Sequence, residues 1–155
     1  MDPSVAAQLI VLIVLLLLSA FFSSAETSLT TVNKLRIRSL VEDGVKGAKR
    51  ISDLIENPSK MISAILIGNN IVNLYASSLT TTLVISLGGS IPTAVGTGIL
   101  TLLILIFGEI TPKTLATMYA EKLAFVYAPV ISLLTKVLTP VIFLLNQFSG
   151  ALLKL

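Results

Sequence analysis

The chain of 155 residues has no cysteine, no histidine and no tryptophan, and only 12% of it is charged. Without cysteine there is no disulfide and no thiolate metal site. Without histidine there is no imidazole ligand, no haem axial histidine and none of the usual acid–base chemistry near neutral pH. A metal bound by side chains like these must be held by oxygen, which favours Mg²⁺, Ca²⁺ or Mn²⁺ over Zn²⁺ or Cu²⁺. Soluble domains carry about 25% charged residues. The low charge here comes with 54% hydrophobic residues and a mean hydropathy of +0.95, the composition of a membrane protein. The net charge of +3 is better explained by membrane topology than by a nucleic-acid partner. An intramembrane enzyme would lack its parts, since the apolar runs hold no paired acids, so the chain is read as not an enzyme.

Residues 5–22 are apolar apart from Gln8 and Ser19. Asp2 is the only charge before Glu26, so there is no basic n-region, and the run is too long for a secretory h-region. About 20 apolar residues span a bilayer, which predicts a first crossing over about residues 4–32. Residues 33–59 differ: Lys34, Arg36, Arg38, Lys46, Lys49 and Arg50 lie here, followed by Lys60, with Leu35, Leu40, Val41, Val45, Ile51, Leu54 and Ile55 at roughly helical spacing. This predicts two short amphipathic helices at a membrane surface, interrupted at Gly44 and Gly47. The positive-inside rule puts them in the cytoplasm, so the N-terminus lies outside. A second span is expected over about 60–87 and a third over about 93–120, joined by a turn at Gly88-Gly89-Ser90-Ile91-Pro92. Gly96 and Gly98 suit close helix contact. Residues 123–155 are apolar again, broken by Pro129, Lys136 and Pro140. Hydropathy allows either a fourth span or a kinked helix lying in the interface, with Lys122, Lys136 and Lys154 reaching headgroups.

Polar groups within the spans are the candidate functional residues. Ser19 and Ser23, four apart, share one helix face, as do Asn69 and Asn73, with Asn70 one position round. Such groups often serve only as interhelical hydrogen bonds. Glu109 follows an apolar run, and an intramembrane carboxylate is a functional candidate by default. Its structural alternative is a pair with Lys113, four residues on. Pro112 has no N–H to offer the Gly108 carbonyl, and Gly108 has no side chain to shield it. Each span thus carries oxygens towards its basic end. Together they supply about six oxygens and one negative charge, a shell suited to Mg²⁺.

Three stretches in order, Phe21-Phe22-Ser23-Ser24-Ala25-Glu26-Thr27, Ile67-Gly68-Asn69-Asn70-Ile71-Val72-Asn73 and Gly108-Glu109-Ile110-Thr111-Pro112-Lys113, resemble the transmembrane domain of the CorC/CNNM family of magnesium transporters. The resemblance implies an all-α membrane protein: a single domain over residues 1–155 with three transmembrane helices per protomer, a pair of short cytoplasmic helices after the first span and a C-terminal juxtamembrane helix over residues 123–155. It implies a homodimer in the plasma (inner) membrane bilayer, with an external N-terminus and a cytoplasmic C-terminus. The tail then does not cross. It further implies Mg²⁺ as transported ion, exported by alternating access coupled to Na⁺ entry, and fusion to cytoplasmic CBS domains that this chain does not include. By motif position the cation site is Ser19, Ser23, Asn69, Asn70, Asn73, Gly108 and Glu109. The rival reading is a membrane anchor and Mg²⁺ sensor that regulates an attached domain without transport.

Overall fold

The computed structural model describes residues 3–87 and 92–152. Their path is helical, with no strand among the described residues: α1 (Pro3–Thr31), α2 (Lys34–Glu42), α3 (Ala48–Glu56), α4 (Pro58–Ser86), α5 (Thr93–Leu105), a π-helical turn (Ile106–Ile110), α6 (Thr111–Met118), α7 (Ala120–Val137) and α8 (Thr139–Leu152). Among the described residues three helical stretches are long and apolar enough to cross a membrane: Ser4–Thr31, Pro58–Ser86 and Thr93–Met118. The bent pair Ala120–Val137 with Thr139–Gly150 reaches the same length and apolarity if taken as one broken span. The glycine turn at residues 88–91 expected between the second and third lies outside the described residues.

α1 is the central rod. It packs against α4 along much of its length, and against the π turn, α6 and α7. Two apolar clusters hold it. At one end Val5 and Leu12 meet Ala76 and Leu83, with Leu100 and Ile104 of α5 alongside. At the basic end Ala25 and Leu29 meet Ile37 of α2, Ile51 and Ile55 of α3, Met61 and Ile65 of α4, and Ala124, Ala128 and Ile131 of α7. The spacing 48, 51, 55 in α3 and 124, 128, 131 in α7 is the i, i+3, i+4, i+7 pattern of a one-sided helix.

The short helices have identifiable boundaries. Asn33 caps α2: its Oδ1 accepts the N–H groups of Leu35 at 2.9 Å and Arg36 at 3.2 Å. Gly44 and Gly47 take φ of +71° and +89°, a region that side chains other than glycine avoid, so the chain reverses there between α2 and α3. Asn33→Ala is expected to cost about 1 kcal/mol of local stability. Amide exchange at Leu35 and Arg36, measured by NMR, should quicken about fivefold.

The C-terminal segment, expected as a kinked juxtamembrane helix over residues 123–155, is two helices. It starts at Ala120 and bends by 66° between α7 and α8. Pro140 accounts for the break, because it has no N–H for the carbonyl of Lys136 and its ring crowds that turn. α7 buries Ala124, Ala128, Ile131 and Thr135, whereas α8 is largely exposed apart from Ile142.

Candidate cation site

The third apolar stretch is not a plain α-helix. At Ile106–Ile110 it widens into a π turn, and the N–H of Thr111 reaches back to the carbonyl of Ile106. The cause lies in the sequence. Pro112 sits in the first turn of α6 and leaves the Gly108 carbonyl without its helical donor. A π turn inserts one residue at such a fault, and such turns are frequent at functional sites.

The freed carbonyl faces α1. The Ser19 hydroxyl lies 2.8 Å from Asn73 Oδ1 and 3.4 Å from the Gly108 oxygen. One hydroxyl hydrogen cannot serve both acceptors. The shorter contact takes it, so Ser19 offers the Gly108 oxygen no more than a weak contact at the edge of hydrogen-bonding range. A side chain at Gly108 would close this approach, since its Cβ would stand 3.2 Å from Ser19 Oγ and 3.1 Å from Leu16 Cδ1. Beside these groups is a cavity of about 160 Å³ lined by Ser19, Asn73, Ser77, Thr101 and Glu109, with Ile104 and Leu105 as its apolar wall. Glu109 is half-buried, and its carboxylate thus shares a cavity with oxygens from α1, α4 and α5.

Two further groups have oxygens with no use in the fold. Ser23 is fully buried and Asn69 is 6% exposed, yet Ser23 Oγ and Asn69 Oδ1 have no hydrogen-bond partner. Nearby hydroxyls behave otherwise: Thr27 bonds the Ser23 carbonyl and Ser28 the Ala25 carbonyl. Each buried polar oxygen left unpaired costs about 1–3 kcal/mol, a cost that a bound cation would remove. Among the described residues no three acidic side chains gather to hold a metal, so a cation here relies on neutral oxygens around one carboxylate.

Of the seven candidates, Ser19, Asn73, Gly108 and Glu109 are brought together around the cavity. Ser23 and Asn69 are buried one turn away on the same helix faces. Asn70 is exposed and does not line the cavity. Ser77 and Thr101 do line it and were not singled out from sequence. The signal was present for Ser77, which continues the four-residue stripe of Asn69 and Asn73.

Lys113 does not orient Glu109. Its Nζ lies 3.5 Å from Glu26 Oε2 on α1, and Arg36 similarly meets Glu121 at 3.6 Å. The π turn shifts the helix register, so the expected one-turn stacking of residues 109 and 113 is replaced by an inter-helix pair.

Gly68 leaves α4 unbroken and makes room for a ring. A Cβ there would lie 2.5 Å from Phe22 Cζ and 2.6 Å from Cε1. Phe22 cannot swing away freely, because it meets Phe21 edge-on at 5.3 Å and Phe21 meets Tyr127 edge-on at 5.0 Å. Gly68→Ala is expected to destabilise by about 1–3 kcal/mol, measured as a lower Tm. Adding Phe22→Leu should recover most of that loss. Gly96 plays a similar part against Val84, 2.8 Å from where its Cβ would be, whereas Gly98 has nothing within 4 Å.

The helices and the oxygen cluster define an integral membrane domain with a polar site between its apolar stretches. The chain belongs to the Cyclin M transmembrane N-terminal domain (CNNM) family, whose pattern it matches over residues 10–155. A "UPF0053 protein" of Haemophilus influenzae is 44% identical over 146 residues, covering 94% of this chain and 35% of that protein. The "UPF0053 inner membrane protein YfjD" of Escherichia coli is 39% identical over 137 residues, covering 88% and 32%. A more partial match, 33% identical over 64 residues, covers 41% of this chain and 14% of an Escherichia coli "Polyamine export protein". The chain spans about a third of the length of the first two relatives.

Proposed function

We propose that this domain carries Mg²⁺ across the membrane, exporting it by alternating access coupled to Na⁺ entry. The supporting observation is that two of the unpartnered buried side-chain oxygens among the described residues, Ser23 Oγ and Asn69 Oδ1, lie one turn along α1 and α4 from Ser19 and Asn73, beside the Gly108 carbonyl and the Glu109 cavity. The others, on Gln8, Thr80 and Thr97, belong to residues outside the lining of that cavity. Mg²⁺ takes six oxygens in near-ideal octahedral geometry and gives up water reluctantly. Glu109 supplies the charge. Ser19, Ser23, Asn69, Asn73 and the Gly108 carbonyl supply neutral oxygens that replace part of the water shell. Asn70, exposed on α4, contributes least, and Asn70→Ala should reduce transport less than Asn69→Ala does. Loading starts from the basic end, and rearrangement of the helices about the π turn opens the other side. Na⁺ then occupies part of the vacated oxygen set and favours the return.

In this reading the N-terminus is external and the C-terminal helices stay on the cytoplasmic surface, consistent with the basic residues of α2 and α3. The full-length protein is a homodimer with cytoplasmic CBS domains. The apolar face of α5, where Leu102, Leu103 and Val95 are exposed and Gly98 is open, suits contact with lipid or a second copy.

The test is flux in proteoliposomes containing the full-length protein, with a Mg²⁺-sensitive dye and an imposed Na⁺ gradient. Mg²⁺ movement that depends on the gradient is expected. No Mg²⁺ movement, with Mg²⁺ still stabilising the protein, would favour the sensor reading. The partial likeness to a polyamine exporter supplies a third arm: spermidine flux without Mg²⁺ flux would assign an organic polycation as cargo. A cavity of about 160 Å³ lined by a single carboxylate favours the compact ion.

A further inference from the structure

A second cavity lies away from the cation site. It has a volume of about 700 Å³ and sits where α3, the start of α4 and α7 meet. Five cationic side chains line it: Lys46, Lys49, Arg50, Lys60 and Lys136. The single acid in its lining, Asp53, is 3.4 Å from Lys49. Four cations therefore converge with no acid in the lining left for them. The positive-inside rule accounts for basic residues on this side of the membrane, but not for their gathering with Lys136 of α7 around one cavity.

The neighbouring cavity has a different character. It has a volume of about 410 Å³ and lies between the start of α4 and α8, with Pro58, Ile142 and Phe143 as its apolar wall and Glu56, Asn57, Ser59, Lys60, Thr139 and Asn146 as its polar rim. Asn57 and Lys60 belong to both linings. A basic compartment thus lies next to a groove with an apolar wall, with Lys60 between them, and Phe143 in that groove is 61% exposed. A soluble phosphate compound would use the first compartment and leave the second uncovered. A molecule with a phosphate head and a hydrocarbon tail fits both.

We propose that the joined cavities bind one anionic phospholipid, with its phosphate among Arg50, Lys60 and Lys136 and an acyl chain along Ile142 and Phe143. The bent α7–α8 segment would then be held to the bilayer surface by a specific lipid as well as by its own apolar residues. Juxtamembrane cations attract anionic lipid with an energy that amounts to about fivefold in affinity for each charge.

The test uses the full-length protein in phosphatidylcholine nanodiscs with 20 mol% phosphatidylglycerol (an arbitrary working fraction, about one lipid in five), with retained lipid counted by native mass spectrometry. The double variant Arg50→Gln with Lys136→Gln should retain phosphatidylglycerol about thirtyfold more weakly. A charge-matched pair, Lys34→Gln with Lys122→Gln, lies outside both cavities and should lose clearly less lipid than the first pair. Phe143→Asn should weaken the lipid without changing any charge. The proposal is overturned if the two double variants lose lipid equally, which would mean unspecific surface attraction. It is also overturned if inorganic pyrophosphate displaces the lipid while Phe143→Asn has no effect, which would assign the basic compartment to a soluble anion.

Discussion

Glu109→Ala is expected to abolish Mg²⁺ flux while the protein remains folded and membrane-inserted. The carboxylate is the only acid lining the cavity formed with Ser19, Asn73, Ser77 and Thr101. A unit charge about 4 Å from another contributes roughly 4 kcal/mol at an effective dielectric of 20, and a divalent ion in direct contact gains more. Loss of this charge should therefore reduce Mg²⁺ affinity by at least about a hundredfold. Glu109→Gln separates charge from shape, since the amide keeps an oxygen in nearly the same place. It should behave much like Glu109→Ala in flux and in Mg²⁺-dependent thermal shift. Wild-type affinity in Glu109→Gln would mean that the neutral oxygens suffice, and the carboxylate would lose its central role.

Ser23→Ala should move stability and function in opposite directions. Ser23 Oγ is buried and has no hydrogen-bond partner. Removing it relieves a desolvation cost of about 1–3 kcal/mol and leaves a buried methyl group that needs no partner. In Mg²⁺-free buffer the variant should therefore unfold at a higher temperature than the wild type. With Mg²⁺ added, the wild type should gain stability and the variant should gain clearly less. A purely structural serine would give the reverse, with the variant less stable under both conditions. Asn69→Leu extends the comparison to α4, where Asn69 Oδ1 is in the same state.

The long apolar helices could be read from sequence because their signal is composition over many residues, and the basic amphipathic pair because its apolar positions recur at helical spacing. The fault at Gly108 and Pro112 was also visible, since one residue lacks a donor and the other lacks cover. Its consequence was not. An α turn and a π turn differ by a single hydrogen-bond register, and a missing donor at Pro112 marks the fault without saying which register the chain takes there. Asn70 shows the limit of spacing arguments: Asn69 and Asn73 already define the inward face of α4, and Asn70, turned about 100° from Asn69, is left exposed. The partners of Lys113 and Arg36 are acids on distant segments, which no local pattern indicates. Pro140 announced a break in the tail, but the 66° bend depends on how α7 lies against α1, α3 and α4.

The most direct test is an anomalous difference map of crystals of the full-length protein grown with Mn²⁺, an oxygen-seeking surrogate for Mg²⁺. The account predicts one peak per protomer between α1, α4 and the π turn, bound by Glu109 together with oxygens of Ser23 and Asn69, and lost when excess Mg²⁺ competes. A peak held only by surface acids such as Glu42 or Asp43, with Glu109 turned towards lipid, would contradict it.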